Sequence, residues 1–412
     1  MARQRGPAGA DRRSGGGLEM TTIADGFLPY GRQTIEDDDV ATVAAALRAK
    51  MLTTGPLVEA YEAAFAEATG AAHAVACNSG TAALHLAVLA LGLGPGDVAI
   101  VPSLTFLATA NAVRMTGADV LFADVDAETG LMTAETFTAA LRRAGDARVR
   151  AVIPVHLNGQ LCELADIRDV AQERGIAIVE DACHALGIDR AGAAEHGGLA
   201  CFSTHPVKAI ATGEGGVVTT IDTRAAARMR RLRSHGMVRE PAAFENRDLG
   251  FEGDTANPWY YEMPEIGWNY RLPDVLCALG LSQLRKLERF QKRRREIAVL
   301  YDRLLAPLAP TLRPVPRTRP HGLHLYAVLI DFAALGMSRG AIMTELRARG
   351  IGTQVHYVPV HHQPYYRHRY GAVPLPGADA YYARCLSLPL FPLMGVPDVQ
   401  RVADALAVVF RP

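Results

Sequence analysis

From about Pro29 onward, the apolar residues of the chain alternate between two periods. Asp37 to Lys50 carries them at helical spacing, Leu52-Thr53-Thr54-Gly55-Pro56 interrupts the pattern, and a second helical stretch runs to about Thr69. Short apolar runs at His73–Cys77, Val98–Val101, Val120–Val125, Val149–Val155 and Ile176–Glu180 read as strands. Between them lie helical stretches: one opened by Asn78-Ser79-Gly80-Thr81 and ending near Gly92, then Thr105–Thr116, Ala134–Arg143 and Leu164–Arg174. Runs that are apolar throughout suit strands covered on both faces, and the intervening helices supply the crossovers of a parallel sheet. The pattern therefore predicts an α/β fold, a mostly parallel sheet flanked by helices. No tandem repeat is visible.

Later the pattern changes. A long helical region spans about Asp274 to Leu305, and the Pro-rich segment Pro307 to Pro320 reads as a domain boundary. Beyond it, strands at Leu323–Asp331 and Gly352–Tyr357 mix with helices at Ser338–Arg349 and Val399–Phe410, as in a smaller α+β domain. The expected division is a disordered tail over 1–28, a large domain over 29–290 and a small C-terminal domain over 291–412, which takes in the end of the helical region. Residues Met1 to Glu19 are rich in Gly, Arg and Ala and lack the apolar core of a secretory signal. They read equally as a disordered tail or as residues preceding a start at Met20.

Composition narrows the possibilities. With 43 basic and 43 acidic residues the formal net charge is zero, which argues against a nucleic-acid binder. No run of about 18 apolar residues exists, so no membrane span is expected. The six cysteines are scattered without paired spacing, as in a reducing, cytoplasmic setting with no structural metal. His361-His362 alone is poor grounds for a metal site.

Three segments carry candidate chemistry. Asn78-Ser79-Gly80-Thr81 joins a strand to a helix, where free N–H groups and the dipole suit a phosphate, although an ordinary helix cap reads the same way. Asp181 ends an apolar strand, at the sheet edge where α/β proteins bind ligands. A carboxylate there can pair with a protonated ring nitrogen, or simply cap a helix. Phe202-Ser203-Thr204-His205-Pro206-Val207-Lys208 precedes Gly213-Glu214-Gly215-Gly216 and sets a lysine in a mostly apolar stretch. Partial burial lowers a lysine pKa and frees the amine for Schiff-base chemistry. Taken in order, the three segments disfavour a merely solvated lysine.

These segments resemble the DegT/DnrJ/StrS sugar aminotransferases. The likeness extends over Leu52-Thr53-Thr54-Gly55-Pro56, Asn78 to Leu84, Thr105-Phe106, Glu180-Asp181-Ala182, Phe202 to Lys208 and Gly267-Trp268-Asn269-Tyr270-Arg271. It implies the fold-type I architecture of pyridoxal-phosphate (PLP) enzymes. It also implies catalysis by Lys208, the Schiff-base lysine, and Asp181, the partner of the pyridine nitrogen. Gly80, Thr81 and Ser203 are then expected on the phosphate, Phe106 on the ring and His184 near the phenolic oxygen. Asn269 is expected to reach the cofactor of a neighbouring subunit, which makes the enzyme a homodimer with shared sites. Thr54, Arg271 and His356 are the substrate candidates.

Within the group, Ser234-His235-Gly236-Met237, Trp259 to Met263, His324-Leu325-Tyr326 and Gln354 to Tyr357 are most similar to the transaminases of pseudaminic acid biosynthesis. That resemblance implies L-glutamate as donor and the C4 ketone of a UDP-linked 4-keto-6-deoxy-N-acetylhexosamine as acceptor. The alternatives are another 4-keto sugar of the perosamine type, a 3-keto sugar, or a catalytically silent scaffold protein. Cys183 and Thr204 depart from the residues common at their positions, without removing a group the reaction needs. Lys208 also stands where a sugar dehydratase of this group has histidine.

Overall fold

The computed structural model describes residues 26–188, 198–317 and 322–410. Its centre is a seven-stranded sheet of β1 (His73–Cys77), β2 (Val98–Pro102), β3 (Asp119–Ala123), β4 (Val149–Val152), β5 (Ala177–Asp181), β6 (Leu199–Ser203) and β7 (Gly216–Thr220). The order is β1-β7-β6-β5-β4-β2-β3, and β7 runs antiparallel to both its neighbours while the rest pair in parallel. The five strands expected from the apolar runs are all present. The sequence reading did not assign β6 and β7, which flank the Gly-rich segment. Every residue of these two strands is buried, so neighbouring elements rather than a local pattern hold them.

The covering helices are α1 (Asp37–Leu47), α2 (Pro56–Thr69), α3 (Gly80–Ala90), α4 (Leu107–Met115), α5 (Ala134–Ala144), α6 (Leu164–Gln172) and α7 (Thr223–Leu232). Apolar side chains of α3, α4, α5 and α6 meet the sheet in one continuous core around Leu86, Ile100, Phe137 and Val152. A one-turn α8 (Arg247–Gly250) and the short pair β8 (Phe251–Glu252) and β9 (Thr255–Ala256) follow.

The expected long helix divides into α9 (Asp274–Leu284) and α10 (Leu287–Leu305). At the break, the Lys286 amine lies 2.5 Å from Asp38 and 2.8 Å from Asp39, at the start of α1. Gln283 Nε2 donates to Asp39 at 2.8 Å. Those polar ties lock the junction to α1, while α10 heads toward a second, smaller core.

That core joins α10 to an antiparallel sheet of β10 (Leu312–Pro314), β11 (Tyr326–Ile330) and β12 (Cys385–Leu388). Three more helices follow β11 in the chain: α11 (Arg339–Ala348), α12 (Pro364–Tyr370) and α13 (Pro376–Arg384), and α14 (Val396–Val409) closes it. Side chains of α11 and α14 fill the small core, whereas Tyr366, Ala378 and Tyr381 of α12 and α13 pack into the large one.

Two expectations need correction. Gly352–Tyr357 is not a strand: only Gln354 pairs, exchanging backbone bonds with Ser387, and the chain then turns His356 and Tyr357 inward. Leu28, assigned to the disordered tail, is buried and bonded to Gly350 and Gly352, because its apolar side chain completes the small core. Residues 1–25 of that tail, and residues 318–320 of the Pro-rich boundary, lie outside the described residues. Among the described residues, no helix is long and apolar enough to cross a membrane.

Candidate active site

Three strand ends set the site. β1 leads through Asn78 into α3, where Ser79 Oγ accepts a hydrogen bond from the Ala82 N–H at 3.1 Å. The capped helix start keeps further N–H groups free, with the positive end of its dipole facing the same way. Close packing permits this. A Cβ on Gly216 would sit 2.2 Å from the Ser79 carbonyl oxygen, and one on Gly80 would sit 2.8 Å from Ser203 Cβ.

Asp181 closes β5 and is 5% exposed. The Thr109 hydroxyl donates to its Oδ2 at 2.7 Å and the Cys183 N–H to its Oδ1 at 3.2 Å. The hydroxyl of Thr105, just before α4, lies 2.7 Å from that of Thr109. These contacts leave the carboxylate little freedom to rotate.

Lys208 follows β6. The loop carrying it is stapled by Thr204, whose N–H bonds the Gly215 carbonyl and whose hydroxyl lies 2.6 Å from that of Thr212. The departure at Thr204 thus does structural work in this loop. Burial depresses the Lys208 amine below its ordinary value, against an opposing pull from Cys183 and Asp181.

Opposite stand three buried imidazoles. His184 Nε2 is 3.1 Å from the Tyr357 hydroxyl, its Nδ1 is buried without a partner, and its ring lies 4.3 Å from that of His324. His356 Nδ1 bonds Ser387 Oγ at 2.8 Å. Burial, reinforced by the Lys208 charge, pushes His184 and His324 well below the usual histidine value and His356 down to about 3. All three are therefore neutral near pH 7, able to give or accept hydrogen bonds but supplying no fixed charge.

These groups line one cavity of about 490 Å³. Of the expected residues, Gly80, Thr81, Phe106 and Asp181 border it. So do His184, Ser203, Lys208 and His356. Phe106 is 55% exposed at the mouth, its ring 5.8 Å from that of Tyr357. Thr54 and Arg271 do not border this cavity; they share a separate pocket of about 110 Å³ with Arg233 and Ser234. Asn269 is exposed outside both, its carbonyl accepting from Asn78 Nδ2 at 3.3 Å. Just before it, Trp259, Tyr261, Met263 and Ile266 are exposed, Ile266 by 74%.

The sequence reading missed Thr109, Tyr30 and Tyr357 as site residues. The Thr105/Thr109 spacing of four, in a stretch read as helical, was a usable signal for the first. Nothing local marks Tyr30, which reaches the cavity from the N-terminal segment.

Residues 33–407 match the model of the DegT/DnrJ/EryC1/StrS aminotransferase family. The chain belongs to that family. It is an aminotransferase of fold type I, and enzymes of this family depend on PLP. It resembles PseC of Helicobacter pylori, an aminotransferase involved in the biosynthesis of pseudoaminic acid, with 28% identity, 93% of this chain and 99% of that one covered, and a TM-score of 0.82. The aminotransferase TlmJ from Streptoalloteichus hindustanus is 30% identical, with 93% and 98% covered and a TM-score of 0.81. DesI, solved in the presence of its TDP-sugar product, is 32% identical, with 94% and 93% covered and a TM-score of 0.80.

Proposed function

We propose that this aminotransferase transfers an amino group from L-glutamate to the C4 ketone of a UDP-linked 4-keto-6-deoxy-N-acetylhexosamine, as in pseudaminic acid biosynthesis. The observation that carries the reaction is the meeting of Lys208, Asp181 and the α3 N-terminus at one cavity. The near full-length likeness to PseC supports the substrate.

The residues present fit PLP. A Cβ on Gly80 would meet Ser203, so only glycine lets the start of α3 come this close to β6, and Gly80, Thr81 and Ser203 would hold the phosphate there. Asp181 would pair with the pyridine nitrogen, its carboxylate oriented by Thr109 and the Cys183 N–H. Phe106 would pack on the ring, and His184, with an unpartnered buried nitrogen, would lie by the phenolic oxygen. PLP, when bound, supplies the electron sink that stabilises negative charge on the donor's α-carbon. Lys208 holds the cofactor between turnovers and, when released, takes the proton from that α-carbon; its depressed pKa favours the free amine this requires. His356, as a neutral imidazole anchored to Ser387, would contact donor or sugar.

The site is shared in a homodimer. Supporting this, Thr54, Asn269 and Arg271 stand outside their own chain's cavity, and the apolar side chains of Trp259, Tyr261, Met263 and Ile266, shortly before Asn269, are uncovered. A second reading, another nucleotide-linked keto sugar, draws on the 32% identity to DesI.

Absorbance spectroscopy of the PLP-loaded protein tests both levels. The visible band of the bound cofactor should bleach with L-glutamate and return with the UDP-linked 4-keto sugar, with the amino sugar seen by mass spectrometry. Recovery only with a TDP-linked keto sugar would move the substrate to the second reading. No response to glutamate in a folded, loaded sample would sink the reaction itself.

A further inference from the structure

Away from the cofactor cavity, His361, His362 and Asp379 bring their ligand atoms within 4.8 Å of one another. The two histidines end the turn after Val360, and Asp379 comes from α13. His361 is 3% exposed. Its Nδ1 lies 2.5 Å from Ser103 Oγ, and its Nε2 is buried without a hydrogen-bond partner. That Nε2 points toward Asp379 Oδ1, 3.7 Å away, which His362 Nε2 approaches to 2.6 Å.

A buried ring nitrogen left without a hydrogen-bond partner is unfavourable. Here it faces a carboxylate oxygen and a second imidazole, three groups that can all present lone pairs to one point. With Nδ1–H donated to Ser103, the neutral tautomer of His361 leaves the Nε2 lone pair directed at that point. A metal-ligating histidine is usually fixed in this manner, through a hydrogen bond from its other nitrogen. The His361–Asp379 separation already suits two ligands of one ion at about 2.0–2.2 Å each, and the half-exposed Asp379 side chain is free to open the shorter His362 contact.

We propose that His361 Nε2, His362 Nε2 and Asp379 form a site for a divalent cation of the imidazole-favouring class, zinc foremost, with water completing the shell. Asp124 and Asp379 are the carboxylates whose charge reaches His361, and Arg367 the opposing cation. The ion would clip the Val360–His362 turn to α13. Both neighbours of that clip lead to the cofactor cavity: Ser103 begins the segment ending at Phe106, and Tyr357 and Gln363 flank the turn. The site stands apart from the transamination chemistry, so the two readings fail independently.

Equilibrium dialysis of the chelator-treated, PLP-loaded protein against micromolar zinc chloride, with metal counted per chain, tests the site. The wild type should retain one zinc per chain beyond any retained by the double variant His362→Ala/Asp379→Asn. Each single variant, altered at a partly exposed residue, should bind more than about 100-fold more weakly. Ser103→Ala should weaken binding by about 10–100-fold, the usual loss for an outer hydrogen-bond partner. The visible spectrum of the cofactor should be unchanged by zinc, which separates this site from metal capture by PLP. Zinc retention equal to the wild type's in His362→Ala or Asp379→Asn overturns the proposal, as does no retention by the wild type.

Discussion

The hydroxyl of Thr109 reaches across from α4 to donate a 2.7 Å hydrogen bond to Asp181 at the end of β5. Thr105, just before α4, backs it, so a helix side chain aims a strand carboxylate into the cavity. A hydrogen bond to a charged group contributes about 1.5–3 kcal/mol. Thr109→Val should keep the fold and lower kcat/KM by roughly 10- to 100-fold. Asp181→Asn should lower it further and weaken PLP retention. Steady-state rates and cofactor titration check both, and wild-type turnover in Asp181→Asn would refute the pyridinium role.

Lys208→Ala should abolish turnover, by more than about 10⁴-fold, while leaving the protein folded and able to bind pyridoxamine phosphate. In the apoprotein, burial disfavours the charged amine, so the neutral form is populated at lower pH than for a free lysine. The rate of PLP capture should therefore rise with pH through a midpoint below 10.5, the ordinary lysine value. A midpoint at or above that value would contradict the burial argument.

Gly216→Ala should be costly although it adds one methyl group. The new Cβ would meet the backbone oxygen of Ser79, so β7 or the start of α3 must shift. Overpacking of this kind costs about 1–3 kcal/mol. Denaturant unfolding should register that loss, and PLP affinity should fall with it if the phosphate binds, as proposed, at the same helix start. Unchanged stability would mean that the close approach is not maintained.

Mixing two inactive variants tests the shared site. If Asn269 serves a neighbouring subunit, Lys208→Ala and Asn269→Ala proteins, each weak alone, should regain turnover when subunits exchange, because one site of each hybrid carries neither lesion. Sedimentation should report a dimer for the wild type and dissociation for Ile266→Asp, which places a charge among the uncovered apolar side chains. Failure to complement despite demonstrated exchange would assign Asn269 to its own chain.

Much of this protein is legible along the chain because its determinants are local. The apolar runs ending at Cys77 and Asp181 and the Ser79-Gly80 cap each combine a burial pattern with a turn signal within a few residues, and each recurs in the structure within a residue or two. Likewise, the chemistry of Gly80, Asp181 and Lys208 rests on residue type and order, so their common cavity was foreseeable. By contrast, β6 and β7 owe their existence to neighbours on both faces, and the break at Lys286 to carboxylates nearly 250 residues away in the chain. Gly352–Tyr357 has the composition of a strand, yet only Gln354 pairs with the edge strand β12 before the chain turns the rings of His356 and Tyr357 inward. Thr109 beneath Asp181, the neutral imidazoles around Lys208, and the meeting of His361 and His362 with Asp379 were decided only by folding. Hydrogen bonding, desolvation and ligand geometry act over a few ångströms, and only the packed chain brings such distant residues that close.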